Sequence, residues 1–269
     1  MILHRIAAGT LIAGLSVTAA FGAKERLYDD FSRHRIDPKK WYGTGSDVWM
    51  LDTAREIVKG GVSGLRLHLG MTAYSPQQDD GGAVGGIFGL YFANPQGIVG
   101  ASYDVEMRDA VAQACPGKPS VEVVTGPEFR ARFFNTQANP TSQKGDVEVA
   151  VGFDRRPTDI GGALTAAFIY QVCDDAACSA HTTLGQGTFG TVGPDTTNNI
   201  GVRWEQSHHR FVFELNGTTT VSKYHVADTS PPFSPEKEID VAREIADCAG
   251  TPRPYTAIDA YFDNIRVVR

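Results

Sequence analysis

The sequence predicts an all-β chain folded as a two-sheet antiparallel sandwich, and three observations predict it. Apolar residues recur with a period of two in one segment after another, as in strands with one buried face. Turn signals return about every ten residues. No segment carries the apolar spacing of an amphipathic helix. The clearest stretch runs from Asn198 to Tyr224. There Ile200, Val202 and Trp204 alternate with Gly201, Arg203 and Glu205, and after a polar Ser207-His208-His209 turn Phe211, Phe213 and Leu215 alternate with Arg210, Val212 and Glu214. Asn216-Gly217 then predicts a tight hairpin, because both residue types accept the positive φ of a type I′ turn.

Taken in order, Met1 to Ala23 reads as a secretory signal peptide: His4 and Arg5 precede an apolar run from Ile6 to Ala20, with small residues suited to cleavage after it. The run is too short, and too rich in Gly, Ser and Thr, for a spanning helix. Residues 24–269 are then a single sandwich domain. Pro38 keeps Asp37 out of a helix. Ser46 to Leu51 and Arg55 to Val58 predict strands, followed by Leu65, Leu67 and Leu69 on one face of a third. Met71 to Gly86 is polar and glycine-rich and predicts a surface loop; its GGAVGG lacks the lysine and the helix that a phosphate cradle needs. Ile98 to Met107 puts Ala101, Tyr103, Val105 and Met107 on one face. Glu128 to Asn135 places Glu128, Arg130, Arg132 and Phe134 together, and Asp146 to Asp154 places Val147, Val149, Val151 and Phe153 in an apolar row. If these two strands pair, charges alternate in sign across the sheet. Ala166 to Val172, Gly187 to Val192, Lys237 to Ala246 and Ile258 to Val268 complete the set.

The chain has 269 residues, 21% of them charged, and a formal net charge of −6, which becomes about −7 without the signal segment. An acidic chain with no Lys/Arg-rich run argues against a nucleic-acid or anionic-membrane partner. Export, whether secreted or periplasmic at the cell envelope, favours oxidised cysteines. Cys173, Cys178, Cys115 and Cys248 allow three pairings; Cys173 and Cys178 fit a local bridge at a hairpin tip, which leaves Cys115 with Cys248. The metal alternative is zinc on Cys173, Cys178 and His181.

Three pieces resemble the concanavalin A-like lectin and glucanase superfamily of jelly rolls: YDDF at Tyr28 to Phe31, the hairpin REIVKGGVSGLRLHL, and the closing AYFDNIRV. GVRWEQSHHRFVFELNG is similar to the strand pair that precedes the final strands there. The resemblance implies a jelly roll over about Leu27 to Arg269, and a polysaccharide partner. It also implies a structural calcium between first and last strands, with Asp263 as its carboxylate and carbonyls near Asp30 and Gly61 beside it; no other cofactor is implied. The superfamily's glucanases carry three acids on one strand. Glu238, Asp240 and Glu244 approach that pattern, but at about 3.3 Å per residue Glu238 and Glu244 stand roughly 20 Å apart, far beyond a retaining pair. They read as the solvated face of a strand.

The first functional expectation is a monomeric, exported lectin-like protein that binds polysaccharide on the outer face of one sheet, through Arg130, Arg132, Glu148 and Tyr170, with Trp49, Tyr74 and Tyr91 at the border. The second is a hydrolase or lyase on the same scaffold, for which Arg130, Glu148, Tyr170 and His68 offer part of a site. The third is a structural or adhesion protein. No catalytic residue is assigned from sequence.

Overall fold

The computed structural model describes residues 25–43, 48–52, 56–77, 83–116, 123–250 and 252–269. The expected signal segment lies outside these residues. Strands dominate, and they form two antiparallel sheets. The first is nine-stranded. Its path begins with β14 (Thr218–Lys223), β13 (Arg210–Leu215), β12 (Thr197–Glu205) and β7 (Gly100–Ala112), and continues through β16 (Tyr255–Val268), β5 (Arg66–Tyr74), β4 (Glu56–Ser63) and β3 (Val48–Asp52). β1 (Arg26–Asp29) also pairs with β16, joining the start of the domain to its end. The second sheet is seven-stranded: β11 (His181–Val192), β10 (Leu164–Cys173), β9 (Asp146–Asp154), β8 (Val124–Asn135), β15 (Lys237–Ala246), β6 (Ala83–Phe92) and β2 (Trp41–Tyr42). The two-sheet sandwich is therefore the architecture of the chain.

Alternation builds the core. Leu67, Leu69 and Met71 of β5, Tyr103 and Val105 of β7, and Phe262 of β16 face Phe129 of β8, the β9 valines, and Ile239 and Val241 of β15. All of these are buried. The Tyr103 hydroxyl crosses the gap and donates to the Val151 carbonyl at 3.3 Å, so the one polar atom of that ring is satisfied. The β13–β14 hairpin turns through Asn216 and Gly217 at φ 50° and 81°, with Leu215 opposite Thr218. This is the two-residue turn expected from the sequence.

Several expectations change. The stretch from Met71 is not all loop: β5 runs to Tyr74 with Met71 and Ala73 buried, and β6 begins at Ala83. Its glycines conceal the strand because they leave no alternation to read. Leu65 is exposed at φ 66° and belongs to the β4–β5 turn. Phe134 does not share the face of Arg132, because the register slips between them and Phe134 enters the core. A bulge has that effect, since one extra residue reverses side-chain parity. Cys115 is joined to Cys248 and Cys173 to Cys178. Both thiols of the suggested zinc site are thus spent in a bridge; His181 Nε2 lies 3.2 Å from Cys178 Sγ.

Candidate functional site

The outer face of the second sheet carries the chemistry. Strand parity decides this: with Ile239 and Val241 turned inward, Glu238 and Asp240 must point out. In register, Glu238 lies opposite both Tyr91 and Arg130, and Asp240 lies opposite Gly89 and Glu128. On the other side of β8, Arg130 faces Ala150, Arg132 faces Glu148 and Glu128 faces Gly152. Small residues around the charged ones leave open space above the sheet. One pocket of about 180 Å³ is lined by Ile87, Tyr91, Arg130, Arg132, Glu148 and Glu238, among others. A wider depression of about 790 Å³ continues over Gly152, Ala167, Ile169 and Gly187, with Glu128 at its edge. Together they make a groove across the sheet.

Arg130 is the hub. Its Nη2 donates to Glu128, its Nη1 is 3.8 Å from Glu148 Oε1, and its Nε is 3.7 Å from Glu238 Oε1. Arg132 holds Glu148 Oε2 at 3.3 Å and Glu236 Oε2 at 3.1 Å. Burial works against the Arg130 charge, but the surrounding Glu128, Asp240 and Glu148 outweigh it and raise its pKa. More acids crowd this spot than two guanidinium groups neutralise. The excess appears as retained protons: burial drives the Glu238 carboxyl up to about 7, against the opposing pull of Arg130 and of the Tyr91 hydroxyl that hydrogen-bonds it. Asp240 is fully buried and is pushed well above the carboxylate range by desolvation first and by Glu128 second. Neither Asp240 oxygen has a partner while both acids are ionised. A proton on Asp240 lets it donate to Glu128, which removes that deficit. Tyr42 and Tyr91 stack at 5.1 Å beside this cluster and form an aromatic edge to the groove.

Of the residues expected from sequence, Arg130, Arg132, Glu148 and Tyr91 come together here. Tyr170 does not. Its parity is that of Phe168, so it is buried, with its ring centre 5.2 Å from that of Phe211, and donates to the Lys223 carbonyl at 3.0 Å. Trp49 sits on β3 of the other sheet, and its side chain lies outside the described residues. Tyr74 packs near Tyr255 on the first sheet. His68, also there, stacks on Tyr261 and bonds Asp259 at 2.8 Å. The reading of Glu238 and Asp240 as solvated is overturned: they are 7% and 0% exposed. The spacing argument against Glu244 had hidden the nearer signal, which is an acid-x-acid strand laid beside Glu128-x-Arg130-x-Arg132.

Asp263 lies opposite Asp104 in β7. Its Oδ1 accepts from the Asn264 amide at 2.7 Å, and Asn264 Nδ2 donates to Asp104 Oδ2 at 2.9 Å. Burial, then Asp104 and Asp30, raise its pKa.

No family model matches the sequence, and a search of curated proteins returns no match. Solved structures do resemble the fold. An endo-β-galactosidase from Clostridium perfringens that releases GlcNAcα1-4Gal aligns over 95% of this chain and 65% of its own length, at TM-score 0.48 and 10% identity. A β-porphyranase from Bacteroides plebeius gives 0.46 and 14% over 93% of this chain and 94% of its own. The β-glucanase of Bacillus licheniformis gives 0.44 and 11% over 93% and 100%. Likeness at this level assigns no activity.

Proposed function

We propose that the groove on the second sheet binds a polysaccharide and hydrolyses it with Glu238 as general acid and Glu148 as general base. The observation that carries this is a pair of carboxyl groups in one pocket with opposed surroundings. Burial pushes Glu238 up to about 7, while Glu148 lies 3.8 Å from Arg130 Nη1 and 3.3 Å from Arg132 Nε. A carboxyl that keeps its proton beside one paired to two guanidinium groups can divide the proton-donating and proton-accepting roles. The two acids stem from strands on either side of β8, and each places a carboxyl oxygen beside Arg130, Glu148 at 3.8 Å and Glu238 at 3.7 Å. Glu238 gives its proton to the glycosidic oxygen as the bond breaks; Glu148 takes one from the attacking water. Tyr42 and Tyr91 supply ring faces for the apolar side of a sugar.

Acids outnumber arginines in the groove, with Glu128, Glu236, Asp154 and Glu244 adding to the pair against Arg130, Arg132 and Arg156. Neutral glycans fit such a surface better than uronic acid polymers, which it repels. Release of reducing ends from β-glucan, xylan, alginate and pectin tests the reading. The expected result is release from a neutral polymer, falling as pH rises through about 7, where Glu238 loses its proton. A rate that rises through that range would reject Glu238 as the acid. A second reading, binding without cleavage, is favoured by Arg130, whose contacts to both Glu148 and Glu238 occupy the middle of the pair; it predicts retention of the polymer with no release.

Asp263 fits the calcium implied by the superfamily resemblance in one respect: its carboxylate shares its surroundings with Asp104 and Asp30, and such oxygen donors suit a hard cation. A bound ion there would relieve their mutual repulsion and tie β1 to β16.

A further inference from the structure

A second cavity, of about 630 Å³, opens at one end of the sandwich. Its lining includes Phe133, Trp204, Pro231, Pro232, Arg132 and Lys237. Lys237 is out of place by pattern. It shares inward parity with Ile239 and Val241, so an amine stands where alternation calls for an apolar side chain, and it is only 3% exposed. Its Nζ donates to the Arg132 carbonyl at 3.0 Å and lies 5.0 Å from the centre of the Phe133 ring. Among the described residues no carboxylate comes within ion-pairing distance of it. Asp228, the acid in the same lining, is engaged elsewhere, its Oδ2 accepting from Tyr224 at 2.6 Å and standing 3.0 Å from His209 Nδ1. An ammonium has three protons to place, and this site offers one acceptor and one ring face. An uncharged amine, with a lone pair free to react, suits it better. Burial lowers the pKa of Lys237 to about 7, and Arg269 adds to the effect.

The walls are built to stay. Buried Asp146 accepts from the Phe233 and Ser234 amides at 2.8 and 3.1 Å, fixing the proline-rich segment against β9. Asn135 N donates to the Ser230 carbonyl at 2.9 Å. Trp204 Nε1 donates to the Tyr224 hydroxyl at 2.6 Å, which sets the indole plane. The result is an open, hydrogen-bonded depression with aromatic and proline walls and one amine in its lining.

We propose that this cavity is a site for small apolar aldehydes, which Lys237 captures as an imine. The Nζ lone pair attacks the carbonyl carbon, a C–N bond forms and the oxygen takes a proton. The nitrogen then loses its remaining acidic proton as the C=N bond forms and water leaves. Amine and aldehyde thus become imine and water with no oxidant or reductant needed. Aromatic and proline walls hold an aryl or alkyl body beside the amine. The site borders the groove at Arg132, but imine formation at Lys237 does not depend on whether the groove hydrolyses anything.

The test uses the full chain with benzaldehyde and cyanoborohydride at pH 7, and reads the modified lysines by peptide mass mapping. At that pH about half of Lys237 is uncharged, against roughly one in 2,500 of an ordinary exposed lysine. Lys237 should therefore be labelled at least ten-fold faster than Lys59, whose side chain is 52% exposed, and its rate should saturate as benzaldehyde increases. Labelling of Lys237 no faster than Lys59 overturns the proposal. So does fast labelling that stays linear in benzaldehyde, because a reactive amine without a binding cavity behaves that way.

Discussion

At the scale of single residues, the decisive feature is an excess of buried acid around Arg130. Glu238 shows its consequence for stability. Its folded pKa of about 7 lies above the ordinary 4.5, so between those values the folded chain holds a proton that the unfolded chain has released. Stability must then fall as pH rises through that window. Glu238→Gln carries no such proton, and denaturant titrations from pH 4 to 8 should show the wild type losing on the order of 1–3 kcal/mol relative to this variant as pH rises. Equal slopes for the two proteins would place Glu238 in an ordinary environment. The residues of this cluster were legible in part: Arg130, Arg132 and Glu148 announce themselves by alternating with apolar neighbours on predicted strands. Glu238 and Asp240 were not read correctly, since alternation shows that they point out of the core but not that the adjacent strand covers them with a guanidinium.

At the scale of elements, β15 and β6 set how closely the cluster can close. Gly89 lies opposite Asp240, and a Cβ added there would sit 2.3 Å from the Ile239 carbonyl oxygen and 2.7 Å from Asp240 Cα. Neither backbone contact can yield without parting the strands. Gly89→Ala should cost about 1–3 kcal/mol, and chemical denaturation of the variant measures it; an unchanged midpoint would mean that β6 and β15 are not paired in this register. The same strand shows why sequence reading missed β6: Gly85, Gly86 and Gly89 give no period, although a Cβ at Gly86 or Gly89 would meet Arg243 or Asp240 of β15. By contrast β9 was readable to the residue, because Val147, Val149, Val151 and Phe153 form an unbroken apolar row. β1 and β16 form the other element-scale junction. If Asp263 holds calcium between them, the cation should raise the melting temperature by several degrees and EDTA should reverse it, a size that linkage allows at saturating ion. No rise on titration would remove calcium from the account.

At the scale of the whole molecule, the fold assigns its two sheets different work. The first wraps the chain ends together through β1 and β16, and the second presents the groove. The Cys115–Cys248 bridge closes a loop with a sequence separation of 133, worth up to about 5 kcal/mol in the chain-entropy model. It spans the segment that contributes β8 to β15, and so encloses the strands that carry the acids. The two-sheet architecture followed from periodicity alone, since every strand needs a partner face to bury its apolar side. Which outer face holds the site did not, because it depends on pairing order: β15 lies between β8 and β6, far from it in sequence, and only that order brings Glu238 to Arg130. The most direct test of the central claim is electrophoresis of wild type and Glu238→Gln through gels containing neutral β-glucan or xylan, stained afterwards for polysaccharide. The account predicts a cleared zone around the wild-type band, and slowed migration without clearing for the variant. Equal clearing by both, or none by the wild type on any neutral polymer, would contradict it.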